Sequence, residues 1–209
     1  MKKIKILIIF ILFMFVYTPL MLANAAVLEG GVEFNWPKLT QNDRDLEIQN
    51  LKDRLFTDKL VRTMDKNYLK EKYNDFQKDP NYPMNMYYLK TGQTNLQDRL
   101  IAGFYMKKIL YAYGVIYKKN PKHCYYYNAI GNLFSVEIFD KNYNDYPVSS
   151  AQYYMNGKLG SVVYAQSEYD EFVYNDKGKF LGRWYQDKYY NNKAKVIMTR
   201  ELPYKFQGN

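Results

Sequence analysis

Residues 153–164, Tyr-Tyr-Met-Asn-Gly-Lys-Leu-Gly-Ser-Val-Val-Tyr, decide how this chain is read. An aromatic run enters Asn156-Gly157, a strong signal for a tight hairpin turn, and an apolar run leaves it. Glycine matters there because such a turn needs positive φ, which a Cβ disfavours. The same order returns in Phe172-Val173-Tyr174-Asn175-Asp176-Lys177-Gly178-Lys179-Phe180, followed by Arg183 to Tyr185. An earlier copy runs from Tyr126 through Gly131 to Leu133, and Phe134 to Phe139 continue it as a strand. Residues 195–200 supply a last strand. From 123 to 209 the chain therefore reads as an antiparallel meander of repeated hairpins.

An aromatic strand, an Asn-Gly-Lys-Leu or Asn-Asp-Lys-Gly-Lys-Phe turn and a return strand resemble the MORN-variant repeats of bacterial YwqK-type proteins. They are also similar to the YD repeats of secreted Rhs-type proteins. The resemblance covers about residues 123–190 and rests mainly on the second and third units. The first unit departs from it, because Ala129-Ile130 fill the turn where polar residues are expected. The family resemblance implies aromatic sheet faces that act as scaffold or interaction surface.

The preceding half has another texture. Thr40 with Asn42 or Asp43 can cap a helix. Leu46, Ile48, Leu51, Leu55, Leu60, Met64 and Tyr68 then recur at helical spacing, and Leu69, Tyr73 and Phe76 extend the stripe. Asp79-Pro80-Asn81-Tyr82-Pro83 ends it. A second helix is expected from Thr94 or Asn95, with Leu96, Leu100, Ile101, Phe104, Met106, Ile109 and Leu110 as its apolar positions. Tyr111 to Tyr117 fit helix and strand equally. The expected class is α+β: a mainly helical region over 26–122 packed beside the C-terminal β-meander of 123–209.

The first 25 residues read as a secretory signal peptide. Lys2, Lys3 and Lys5 precede the apolar run 6–16, and Ala23-Asn24-Ala25 places small residues before a cut at Ala26. The expected protein is exported, to periplasm or medium, without a membrane span after cleavage. The full chain carries a net charge of +9. Losing three lysines leaves a basic protein suited to peripheral contact with an anionic surface. Export argues against nucleic acid as a partner.

Composition limits the chemistry. One His and one Cys exclude an intramolecular disulfide, a two-His metal motif and a Cys/His zinc site. His123-Cys124 is the one adjacent reactive pair, and strand neighbours point to opposite faces. Asp140-Lys141-Asn142-Tyr143-Asn144-Asp145 spaces oxygens as a calcium loop does, but Asp145 replaces the turn glycine and Ala151 the bidentate Glu. No residue set calls for a metal or another cofactor. Glu168, Asp170 and Glu171 form a carboxylate cluster of the kind that hydrolyses glycosidic bonds. The aromatic content is 18%, with 24 Tyr. Such rings either fill the core of a small meander or stack on sugars and protein partners.

The leading expectation is a non-enzymatic interaction or scaffold protein that binds a protein or a cell-wall glycan through an aromatic β-face. Its candidate binding residues are Tyr153, Tyr154, Tyr174, Arg183, Trp184 and Tyr185. The alternative is a wall-glycan hydrolase using the carboxylates near 168–171.

Overall fold

The computed structural model describes residues 63–201 and a strand pair within 26–34. The chain divides into two units, Met1–Lys38 and Leu39–Asn209. In the first, β1 (Ala26–Val27) pairs antiparallel with β2 (Glu33–Phe34). The expected signal peptide at 1–25, and the expected helix from Thr40 as far as position 62, lie outside the described residues.

The second unit holds a closed barrel of ten antiparallel strands. These are β3 (Arg99–Met106), β4 (Ile109–Tyr117), β5 (His123–Asn128), β6 (Leu133–Phe139), β7 (Val148–Tyr154), β8 (Leu159–Ser167), β9 (Asp170–Tyr174), β10 (Phe180–Tyr185), β11 (Lys188–Asn191) and β12 (Val196–Arg200). Each pairs with the next in sequence. β12 closes on β3, with Thr199 opposite Tyr105 and Arg200 opposite Phe104. Closure removes the sheet edges that an open meander would expose.

This corrects the expected α+β class. The described chain is mostly β, and its helices are short: α1 (Lys66–Lys72), a 3-10 turn (Asn74–Phe76) and α2 (Tyr82–Thr91). The helix expected from Thr94 to Leu110 is instead strand β3 and the start of β4. The helical region beside the meander thus contributes two strands to the barrel. α2 forms where Pro83 was expected only to end a helix. Pro83 sits in its first turn, where the missing N–H costs nothing, and Gly92 ends it at φ 71°.

Strand alternation sorts the barrel side chains into two sets. Ile101, Tyr113, Val115, Tyr125, Tyr127 and Val136 form one cluster with Leu69 and Tyr73 of the helical segment and Leu89 of α2. Their ring contacts reach the helical segment or adjacent strands, so this set is the outer face, and the helices cover it. The other set touches across skipped strands. Phe104 on β3 meets Trp184 on β10, with ring centroids 5.7 Å apart. Arg200 on β12 reaches Glu171 on β9 at 2.7 Å. That set fills the lumen, with Leu100, Ile116, Cys124, Phe139, Val148 and Ala165 as its apolar cluster. Small lumen residues make room for large ones: a Cβ on Gly114 would press on the Cys124 sulfur and the Tyr126 ring.

Four hairpin turns share one geometry. In each, the first residue donates its N–H to the carbonyl of the fifth, and the fourth donates to the carbonyl of the first. The pairs are Asn128 with Asn132, Tyr154 with Lys158, Asn175 with Lys179 and Asn191 with Lys195. The fourth residue is left-handed each time: Gly131 at φ 78°, Gly157 at 91°, Gly178 at 76° and Ala194 at 58°. Asn128, Asn175 and Asn191 reinforce their turns, because each side-chain oxygen accepts two backbone N–H bonds.

Candidate functional site

The six candidate binding residues do not form one face. Tyr153 and Tyr174 are buried in an outer-face cluster with Val162 and Phe172. Tyr154 is exposed at the end of β7. Arg183 and Tyr185 lie on the outer face, where the Arg183 guanidinium packs over the rings of Phe172 and Tyr185 and pairs with Asp170 at 2.5 Å. Trp184 turns into the lumen beside Phe104 and Tyr189, and Arg200 stacks on its ring at 4.5 Å.

The carboxylates near 168–171 separate as well. Asp170 and Glu171 are neighbours on β9 and take opposite faces. Asp170 pairs with Arg183 outside, and Glu171 pairs with Arg200 inside. Glu137 joins the lumen cluster from β6. Its carboxylate accepts from Tyr126 Oη at 2.5 Å and from Ser150 Oγ. Burial pushes the Glu137 carboxyl above its ordinary value. The Ser150 and Tyr126 hydrogen bonds oppose that shift, Glu171 adds to it, and Arg200 works against it. Tyr143 and Tyr146, from the loop between β6 and β7, pack beside Phe139 and feel the Glu171 and Arg200 charges. This lumen is occupied by its own side chains, and its polar groups answer one another.

His123 and Cys124 point apart, as strand neighbours do. His123 lies on the outer face against the Tyr125 and Tyr73 rings, its Nδ1 2.9 Å from Asn120 Oδ1. Burial, with Lys72 second, lowers its pKa. Cys124 faces the lumen, and burial foremost raises its thiol well above the ordinary range. Neither is placed to activate the other. In the loop after β6, Asp140 Oδ1 accepts from Ser149 N at 2.9 Å, so that carboxylate closes the loop. Among the described residues no group of three or more His, Cys, Asp and Glu side chains is arranged to hold a metal ion.

A buried polar network that sequence reasoning missed fastens α2 to the barrel. Asp79 Oδ2 accepts from Tyr113 Oη at 2.6 Å and from Asn85 Nδ2 at 2.9 Å. Arg99 Nε donates to Asn85 Oδ1 at 2.8 Å, and its Nη1 pairs with Asp98 at 2.6 Å. Asp79 stood in the sequence only as a helix terminator. Its partners Asn85 and Tyr113 come from α2 and β4, which no local pattern reveals. An open groove beside this network is lined by Asn81, Asp98, Tyr117, Lys118 and Lys119.

The exposed side chains are distributed unevenly. In an up-and-down barrel the β3–β4, β5–β6, β7–β8, β9–β10 and β11–β12 turns share one end. Six of the exposed large apolar residues stand there: Met106, Ile109, Tyr111, Ile130, Tyr154 and Val196. Tyr111 stands near the start of β4 and Tyr154 at the end of β7, both at this end, and burial first, then Tyr154, raises the Tyr111 pKa. The five turns at this end (107–108, 129–132, 155–158, 175–179 and 192–195) carry seven lysines and one acid, Asp176. The four connections at the opposite end (118–122, 140–147, 168–169 and 186–187) carry four lysines and four acids. The remaining exposed large residues are Tyr68, Met84 and Tyr87 on the helices and Tyr169 at the opposite end.

Among the described residues no helix is long and apolar enough to cross a membrane. No protein family, curated protein or solved structure matches the chain.

Proposed function

We propose that this chain is an exported interaction module that binds rather than catalyses, and that it meets its partner with the turn end of the barrel. The observation that carries this reading is the gathering of exposed apolar and aromatic side chains on that end, Ile109, Ile130, Tyr111 and Tyr154 among them. Exposed apolar side chains gathered on one end of a small protein mark a contact site. The opposite end offers charge balance and Tyr169. The lumen supports a scaffold role, because its ionisable groups pair with one another instead of facing an open cleft. The aromatic contact expected of a β-face moves with this to the rim. Tyr154 keeps its candidate role, and Tyr111 takes the place of the buried Tyr153 and Tyr174.

The test is sedimentation of the exported protein with the cell-envelope fraction of the cells that make it. The native chain pellets with that fraction, and the Tyr111→Ser/Tyr154→Ser variant stays in the supernatant. If that variant pellets as well as the native chain while melting at the same temperature, the turn end is not the contact surface.

A further inference from the structure

We propose that the turn end of the barrel docks on an anionic lipid surface, its aliphatic tips entering the headgroup region while the surrounding lysines meet the headgroup charges. The inference rests on the turn end being the contact surface, and it names what that end contacts. Three observations favour lipid over glycan or a folded protein partner.

The most exposed members are aliphatic and stand on turns. Ile109 is 73% exposed and Ile130 67% exposed, one beside the β3–β4 turn and the other within the β5–β6 turn. A protein partner would need a matching hollow for each tip, and a sugar would prefer a flat aromatic face. A fluid interface accepts separate apolar tips without a fixed shape.

Charge is the second observation. Lys107 and Lys108 form the turn next to Ile109, and Lys193 and Lys195 lie just before Val196, all four exposed. Long lysine stems let the ammonium groups reach headgroups while the stems lie along apolar surface. The turns at this end hold seven lysines to one aspartate, while the other end is balanced. A protein with this asymmetry orients turn end first toward an anionic leaflet.

The third is the size of the strands. They run from 4 residues in β11 to 9 in β4 and β8. A strand that crosses a bilayer needs about 9–11 residues. The barrel is therefore suited to sit on the surface by one end, with polar Arg183, Asp170 and Lys188 on its flank.

The experiment is flotation of the exported protein with phosphatidylcholine vesicles and with mixed phosphatidylcholine/phosphatidylglycerol vesicles. Two variants are compared with the native chain: Ile109→Ser/Ile130→Ser, and Lys193→Glu/Lys195→Glu. All four positions are solvent-facing, so both variants keep the native melting temperature, which a thermal melt confirms. The expected result is flotation with the phosphatidylglycerol vesicles, little with phosphatidylcholine alone, and about a tenfold or greater loss of affinity in each variant. Raising salt weakens the native interaction without abolishing it, since screening acts on the lysines and not on the tips. Equal flotation of native protein and both variants overturns the inference, as does failure of the native protein to float. If the native protein then still pellets with lipid-free wall material and Tyr111→Ser/Tyr154→Ser abolishes that, the lipid assignment alone falls. Loss of both leaves neither the lipid assignment nor the turn-end contact standing.

Discussion

Ala194 stands in the β11–β12 turn where Gly178 stands in the β9–β10 turn, both left-handed, at φ 58° and 76°. The flanking hydrogen bonds are the same in both turns, with Asn191 and Asn175 as the accepting side chains. The conformation is thus imposed by the turn, and alanine bears a steric cost in it that glycine does not. Ala194→Gly should raise stability by about 1 kcal/mol, less the added unfolded-state freedom of glycine. A denaturant melt checks this. A loss of stability would show that Ala194 is not held left-handed.

Gly157 binds the incoming chain as well as making its turn. Its carbonyl accepts from Met64 N at 2.8 Å, and a Cβ there would run into the Met64 carbonyl oxygen. Gly157→Ala should therefore cost about 1 kcal/mol for the left-handed backbone and more for displacing the 63–66 segment. Hydrogen exchange separates the two contributions. Faster exchange at the Met64 amide is expected, and unchanged protection there would reduce the effect to turn strain.

Arg200 and Glu171 form an ion pair inside the barrel, their side chains 7% and 16% exposed. Removing one partner leaves the other charge poorly solvated, which costs roughly 3 kcal/mol at such sites. Arg200→Met should show this loss, and Arg200→Met/Glu171→Leu should recover a large part of it. Additive single and double losses would mean that the two charges do not depend on one another. Arg200 also closes the β12–β3 seam opposite Phe104, so the single variant should loosen the Glu201–Gly103 hydrogen bond next to it.

The sequence made the turns legible and the closure illegible. Asn156-Gly157 and Asn175 to Gly178 are turn chemistry written in adjacent residues, and the structure places hairpins there. The fourth equivalent turn escaped because Ala194 occupies the glycine position. β3 escaped for another reason. Leu100 faces the lumen and Ile101 the helices, and both are buried. A strand covered on two sides loses the apolar–polar alternation that identifies strands, and its leftover spacing imitates a helix. A bulge between Phe104 and Tyr105 disturbs the period further. Trp184 parts from Arg183 and Tyr185 by strand alternation, which is a local rule, whereas the burial of Tyr153 and Tyr174 depends on what covers the outer face.

Glu137 gives the barrel a pH signature with a definite sign. Burial raises its carboxyl above the ordinary 4.5, so the folded state holds the proton more tightly than the unfolded chain. The stability it contributes is full below pH 4.5 and is lost as pH rises through the raised folded value. The side-chain amide of a Glu137→Gln variant keeps one acceptor oxygen for Ser150 or Tyr126, turns a donor toward the other hydroxyl, and does not titrate. The melting temperature of Glu137→Gln minus that of the native chain should therefore be more positive at pH 7 than at pH 4. Nearby charges set the size of the change, Glu171 enlarging it and Arg200 reducing it. Paired thermal melts across that range measure the difference directly. A difference that stays constant with pH would mean the Glu137 carboxyl titrates alike in the folded and unfolded chain, and a reversed trend would mean that Arg200 outweighs burial.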